Sequence, residues 1–338
     1  MVARAWADRG ETKKLDRASQ LGRGTLTQSQ TGRGGQREVE EMFVQNDAVS
    51  LCLLLNRRAK TMRVIDFRAG PSNAKRVFVL KLAKREGIEK IYTLVERDEV
   101  GTWVKLGFAR EANIPGFYKR SDAFILGCPA SAQIESEVRI AVASSSDEDE
   151  DEAPEADAPS AAHERAEKTL VQAKKQNKDL LDRPLPVTKL ALVKEADVRK
   201  AIDRALKTGR ALTAFEPFGR DVERRFFHIT ARGNFELVAS IESQSCFGNA
   251  FLELLTAPKT DAERLATVSA LRTICDKLLA EGVVSCFSLA PSDDVALATA
   301  FVHNGFRRTG LLEQHVTVGG ERKDAIVFSR KLANPAGE

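Results

Sequence analysis

Eight acidic residues fall between Asp147 and Asp157 in "SSSDEDEDEAPEADAPSAA" (144–162), with no Lys or Arg among them. Like charges at that density repel, and the interleaved Pro, Ser and Ala offer little to bury, so the run stays extended. No single core can include it, and the chain must fold on either side of it. The 338 residues suit about two domains. The expected division is a block at 38–142, a linker at 143–185 and a larger block at 186–333. Within the linker, "HERAEKTLVQAKKQNKDLLD" (163–182) is rich in helix formers and mostly polar, which predicts a solvated helix or spacer closed by "RPLP". Residues 1–37 hold eight Lys and Arg against three Asp and Glu, with many Gly, Ser, Thr and Gln. They read as a disordered basic tail.

Composition excludes several classes. Hydrophobic residues make up 43% of the chain, enough for packed cores. The longest apolar run, "AVSLCLLL" (48–55), is far short of the roughly 18 residues that cross a bilayer. The basic start has no apolar segment behind it, so no signal peptide or membrane association is expected. Cys52, Cys128, Cys246, Cys275 and Cys286 are scattered, with no C-x-x-C pair. That spacing predicts neither a disulfide framework nor a metal site, and fits a reduced cytoplasm. A net charge of +4 is too small to argue for specific nucleic-acid binding.

In the first block, "TMRVIDFRAG" (61–70) has strand character and stops at Gly70-Pro71. "SNAKRVFVLKLAKREG" (72–87) has a helical apolar face, Ser72 or Asn73 to cap it and Gly87 to end it. A strand (90–99), a short helix (100–107) and strand-like residues at the end of 117–127 follow. The second block opens on an amphipathic helix (195–209). Strands at 224–232, 235–243 and 250–257 come next, the first two turning at Gly233-Asn234. A long helix (261–282), a strand (284–292), a helix (295–305) and a hairpin (314–332) turning at Gly319-Gly320 complete it. The order predicts an α/β fold of the α+β type.

Both blocks end alike. "KLGFARE" (105–111) and "HNGFRRTG" (303–310) each close a helix with Gly-Phe before the last strands. This order resembles the GNAT superfamily of N-acyltransferases, and "ANIPGFYKRSDAFILG" (112–127) further resembles its β-lysine N-acetyltransferase subgroup. The resemblance implies a mixed, mostly antiparallel sheet flanked by helices, present twice. The first copy is expected to be truncated, with only about 23 residues before the strand at 61–70. The resemblance also implies acetyl-coenzyme A as co-substrate and an amine acceptor, small or protein-borne. The units would pair within one chain or in a homodimer.

In that family the pyrophosphate docks at the start of the helix that follows the middle strand, where unpaired amides and the helix dipole favour an anion. The matching positions here are Arg68, Gly70, Ser72, Asn73 and Ala74, although the spacing misses the Gln/Arg-x-x-Gly-x-Gly/Ala pattern by one residue. Lys75 and Arg76, in the first helical turn, favour an anion or are ordinary surface bases. The second block has no glycine in "TAPKTDAERL" (256–265), and Asp261 and Glu263 stand where phosphates would come. They read as capping residues.

The family often protonates the departing thiolate from a Tyr four residues before the Gly of Gly-Phe. Those positions are Trp103 and Phe301. Tyr118 is the remaining candidate acid, or a packed aromatic; Tyr92 reads as structural. Glu253, among apolar neighbours, is the candidate base, with Glu242, His228 and His303 behind it. Strand alternation also allows Glu253 to face solvent. Two functions follow: an acyl-coenzyme A-dependent N-acyltransferase, or a catalytically silent module of that fold used for binding or regulation.

Overall fold

The computed structural model describes residues 25–28, 39–45, 49–57, 59–66, 70–118, 121–131, 160–212, 223–231, 237–244 and 246–333. The acidic run, the Gly233-Asn234 turn and all but 25–28 of the expected tail lie outside them.

The first half holds strands β1 (Thr25–Gln28), β2 (Val39–Gln45), β3 (Ser50–Asn56) and β4 (Thr61–Asp66), then helix α1 (Asn73–Arg85). Strand β5 (Lys90–Val95), helix α2 (Arg97–Lys105) and strands β6 (Ala109–Ile114) and β7 (Ala123–Pro129) follow. The second half has α3 (Ala161–Leu180), β8 (Lys189–Val193), α4 (Glu195–Lys207), β9 (Glu223–Thr230), β10 (Leu237–Gln244) and β11 (Asn249–Leu254). It closes with α5 (Asp261–Ala280), β12 (Ser285–Pro291), α6 (Val295–His303), β13 (Arg307–Val318) and β14 (Glu321–Lys331).

The fourteen strands among the described residues form one sheet, in the order β1-β2-β3-β4-β5-β7-β6-β13-β14-β12-β11-β10-β9-β8. The order is the same counted from either edge, and the middle is the antiparallel contact of β6 with β13. The expected mixed, mostly antiparallel sheet flanked by helices is present. Its parallel pairs are β4 with β5 and β11 with β12. The first half is not short of its early strands, as the sequence suggested. Three strands of six or seven residues lie between Val39 and Asp66, and β1 adds to β2.

Alternation along each strand sends side chains to two faces. In β5, Ile91 packs beneath α1 and α2 with Val79, Leu80 and Trp103. Its neighbour Tyr92 faces the opposite way, into a core shared by the halves that includes Ile114, Phe251, Phe287 and Leu312. Helices α3, α5 and α6 cover the second half, over Leu252, Ile274 and Phe301. Each such side chain taken fully from water contributes about 1.5–3 kcal/mol.

Helix α3 is the clearest departure from the sequence reading. It is not a solvated spacer: Ala162, Ala166, Leu170 and Ala173 recur every three or four residues and are buried. These small side chains let α3 lie close against α6. Gln176 accepts from the Thr299 hydroxyl (3.2 Å), and Asn177 lies 2.8 Å from the His303 ring. No helix among the described residues is long and apolar enough to cross a membrane.

Candidate functional site: two gaps in the sheet

Pairing of β4 with β5 ends at Val64↔Thr93, although the strands run on to Asp66 and Val95. Pairing of β11 with β12 ends at Leu252↔Ser288, although they run on to Leu254 and Pro291. Each parallel pair therefore splays at its C-terminal end, and a helix starts just beyond the first strand of each pair. The two starts differ in what occupies them.

At α5 the start is closed. Thr260 caps it, and Glu263 turns back to accept from the backbone of Lys259 (2.6 Å) and Thr260 (3.1 Å). The same carboxylate takes the Arg210 guanidinium at 2.7 Å, and Arg210 also donates to the Ala257 carbonyl. Burial alone would raise the Glu263 carboxyl; the two amides and Arg210 outweigh it and hold it below the usual carboxylate range. A carboxylate thus fills the anion position, as the sequence suggested. Beside it a groove of about 360 Å³ runs from the first turn of α5 to the start of α6. Asp293 and Asp294 line it; Lys323, also there, is spent on Asp293 at 2.6 Å.

The gap between β11 and β12 is nearly filled. Its cavity of about 20 Å³, lined by Phe251, Glu253, Leu289, His315 and Val316, holds about one water. Glu253 is buried there and accepts from the Ser240 hydroxyl at 3.1 Å. Of the two orientations the sequence allowed, Glu253 takes the inward one, beside this small cavity.

At α1 the start is exposed. Gly70 has φ +107, a conformation glycine adopts freely, and a Cβ there would meet nothing within 4 Å. Pro71, Asn73 and Ala74 face solvent and Ser72 is half-buried. The cap is the Ser72 hydroxyl, accepting from the Lys75 amide at 3.4 Å, and the first turn carries no acid. Arg68 lies outside the described residues. Lys75 and Arg76 turn inward, away from the exposed helix start, and so do not take the expected place beside a docked phosphate. Lys75 is 2% exposed, ion-paired with Asp66 and donating to the Gly70 carbonyl (2.9 Å). Arg76 is buried and donates to the Leu106 carbonyl. Both chains turn inward because partners on the strand and the α2 end are there to meet them.

Carboxylates gather at the mouth of this first gap. Asp66 ends β4; Glu96 and Glu99 follow β5. Burial, with Asp98, Asp66 and Glu96 nearby, raises the Glu99 carboxyl against its own hydrogen bond to the Glu96 backbone. Burial pushes the Tyr118 phenol up to about 12, with Arg63, Glu96 and Glu99 as its charged neighbours. Tyr118 stands edge-on to Phe117 (4.8 Å) and to Phe247 of the second half (5.1 Å). Its loop is pinned by Asn249, which donates to the Phe117 carbonyl at 2.7 Å. Glu253 and Tyr118, the two predicted catalytic residues, thus sit in different halves. Glu99 escaped the sequence reading because "ERDE" (96–99) looks like any acidic helix start.

Trp103 is 2% exposed against Phe108, and Phe301 is buried and stacked on Phe328 at 5.1 Å. Both are core residues. Among the described residues no group of three or more His, Cys, Asp or Glu is placed to hold a metal.

No family model matches the chain, and no curated protein matches it. Solved structures do. The ribosomal-protein-S18-alanine N-acetyltransferase of Escherichia coli is 16% identical, with a TM-score of 0.33, over 45% of this chain and 97% of that one. A mutant of the spermidine N-acetyltransferase of Vibrio cholerae is 13% identical, with a TM-score of 0.35, over 44% and 96%. A structure described as a probable acetyltransferase (GNAT family) of Chromobacterium violaceum is 19% identical, with a TM-score of 0.34, over 44% and 85%. The chain is thus similar to solved acetyltransferases, one of them described as GNAT-family, over rather less than half of its length.

Proposed function

We propose that the chain is an acyl-coenzyme A-dependent N-acyltransferase whose first half holds the site and whose second half is a closed, non-catalytic module. One asymmetry carries this reading. The α5 start is filled by the Glu263 carboxylate, whereas the α1 start is exposed, uncapped by any acid and preceded by Gly70.

A pyrophosphate at α1 would be met by the backbone of Gly70, Ser72, Asn73 and Ala74, with Arg68 as the matching basic position. The acyl thioester would lie in the gap beyond Val64 and Thr93. Glu99, raised by burial, takes the proton of the attacking amine. The new C–N bond forms as the C–S bond breaks, and Tyr118 protonates the leaving thiolate. The acidic mouth formed by Glu96 and Glu99 suits a cationic amine, small or protein-borne.

The assay is thiol release from acetyl-coenzyme A by the full chain, with polyamines, amino acids and peptides as acceptors. The reading expects release with at least one amine, lost in Ala74→Asp and kept in Glu263→Gln. Binding without release in any case would favour a silent regulatory module, the second reading, which the packed Trp103 and Phe301 support.

A further inference from the structure

The joint between the halves contains a histidine that neither half satisfies. Between Leu312 and Val316 the pairing of β13 with β14 slips, and Gln314 there has φ +49. Its amide is held by Asp324 at 2.9 Å, and Asp324 is itself tied to Arg165 at 3.0 Å. A bulge of this kind re-aims the next side chain. His315 accordingly points inward: it is 1% exposed and lines the small cavity beside Glu253. Neither ring nitrogen has a hydrogen-bond partner. Across the joint its ring meets Tyr92 of β5 edge-on at 5.0 Å.

The charges around it come from every neighbouring element. Lys90 of β5 is paired with Glu111 of β6. Arg322 of β14 reaches across the joint to the Ala59 carbonyl and lies 3.5 Å from Glu89. Glu313 precedes His315 on β13, Asp324 is committed to the bulge, and Glu253 of β11 accepts from Ser240. Burial holds the imidazole neutral well below its usual range, and Lys90 and Arg322 add to the effect.

We propose that the joint between the two halves is proton-sensitive, and that charging His315 loosens β13 from β5 and β6. An imidazolium there would be shut away from water, repelled by Lys90 and Arg322, with no acceptor bonded to either nitrogen. Opening the joint lets it reach water. The folded joint favours the neutral ring, and an opened chain binds the proton at pH about 6.5. The stabilising effect is therefore complete above that pH and declines as pH falls below it, by up to tenfold in the opening equilibrium per pH unit. The inference does not depend on acyl transfer.

Hydrogen exchange of the full chain at pH 7.5 and 5.5, corrected for intrinsic chemistry, tests it. Amides of 109–114 and 307–316 should lose up to about tenfold protection at the lower pH. In His315→Phe, which keeps the edge-on packing, the loss should vanish; should that variant fail to fold, His315→Gln takes its place with the same expectation. Protection independent of pH in the unaltered chain, or equal loss in the variants, overturns the proposal. So does an NMR titration in which His315 protonates near pH 6.5 with the joint intact.

Discussion

Gly310 faces Ala112 across the joint so closely that a methyl placed on Gly310 would lie 2.2 Å from the Ala112 Cβ and 2.5 Å from the Glu111 carbonyl. This pair is where β6 meets β13, so one glycine lets two seven-stranded halves share a sheet. Gly310→Ala should destabilise the full chain by about 2 kcal/mol in urea unfolding, since the backbone on both sides must shift. Adding Ala112→Gly should recover only part of that loss, because the Glu111 carbonyl remains in the way.

The Arg210–Glu263 pair closes the α5 start, and both partners are largely buried. Glu263→Ala removes the capping box and leaves the guanidinium without its carboxylate. The expected loss is about 3 kcal/mol by chemical denaturation. The Glu263 carboxyl is held low in the folded chain, so its stabilisation is complete above the ordinary Glu range near pH 4.5. It should decline as pH falls through the folded value. Glu263→Gln should flatten that acid limb.

Lys75 and Asp66 form a buried pair at the base of the first gap. Lys75→Met should cost about 3 kcal/mol, because it strands Asp66 in the interior; Lys75→Met with Asp66→Leu should be much milder. A double change that costs as much as Lys75→Met and Asp66→Leu added together would mean that the two side chains act independently.

Tyr118→Phe keeps the ring against Phe117 and Phe247 and removes only the hydroxyl. Turnover should fall about 10²-fold with little change in melting temperature. Unchanged turnover would assign Tyr118 to packing alone.

Local signals wrote much of this fold into the chain. Alternation marked β5, strand-like runs marked β4, β10 and β11, and the apolar stripe marked α5. Asp261 and Glu263 read as capping residues; Glu263 does close the start of α5, with Thr260 rather than Asp261 as its partner. Strand β6 was missed because "AREANI" (109–114) is too polar to look like a strand, and β8 because an edge strand buries little. The inward turn of Lys75 depends on Asp66, a partner on the preceding strand that the helix's own pattern cannot reveal. His315 was overlooked for a similar reason: its orientation follows from a bulge at Gln314 set by Asp324, ten residues beyond Gln314. The gaps themselves are a property of strand pairing, and no residue announces them.

The direct test of the central asymmetry is the melting temperature of the full chain with and without millimolar acetyl-coenzyme A. The account predicts a ligand-linked rise. The rise should be abolished by Ala74→Asp, a solvent-facing change that itself suits a helix start, and retained in Glu263→Gln relative to that variant's own baseline. A rise that survives Ala74→Asp but disappears in Glu263→Gln would put the site in the second half and contradict the account; no rise at all would contradict a coenzyme A site in either.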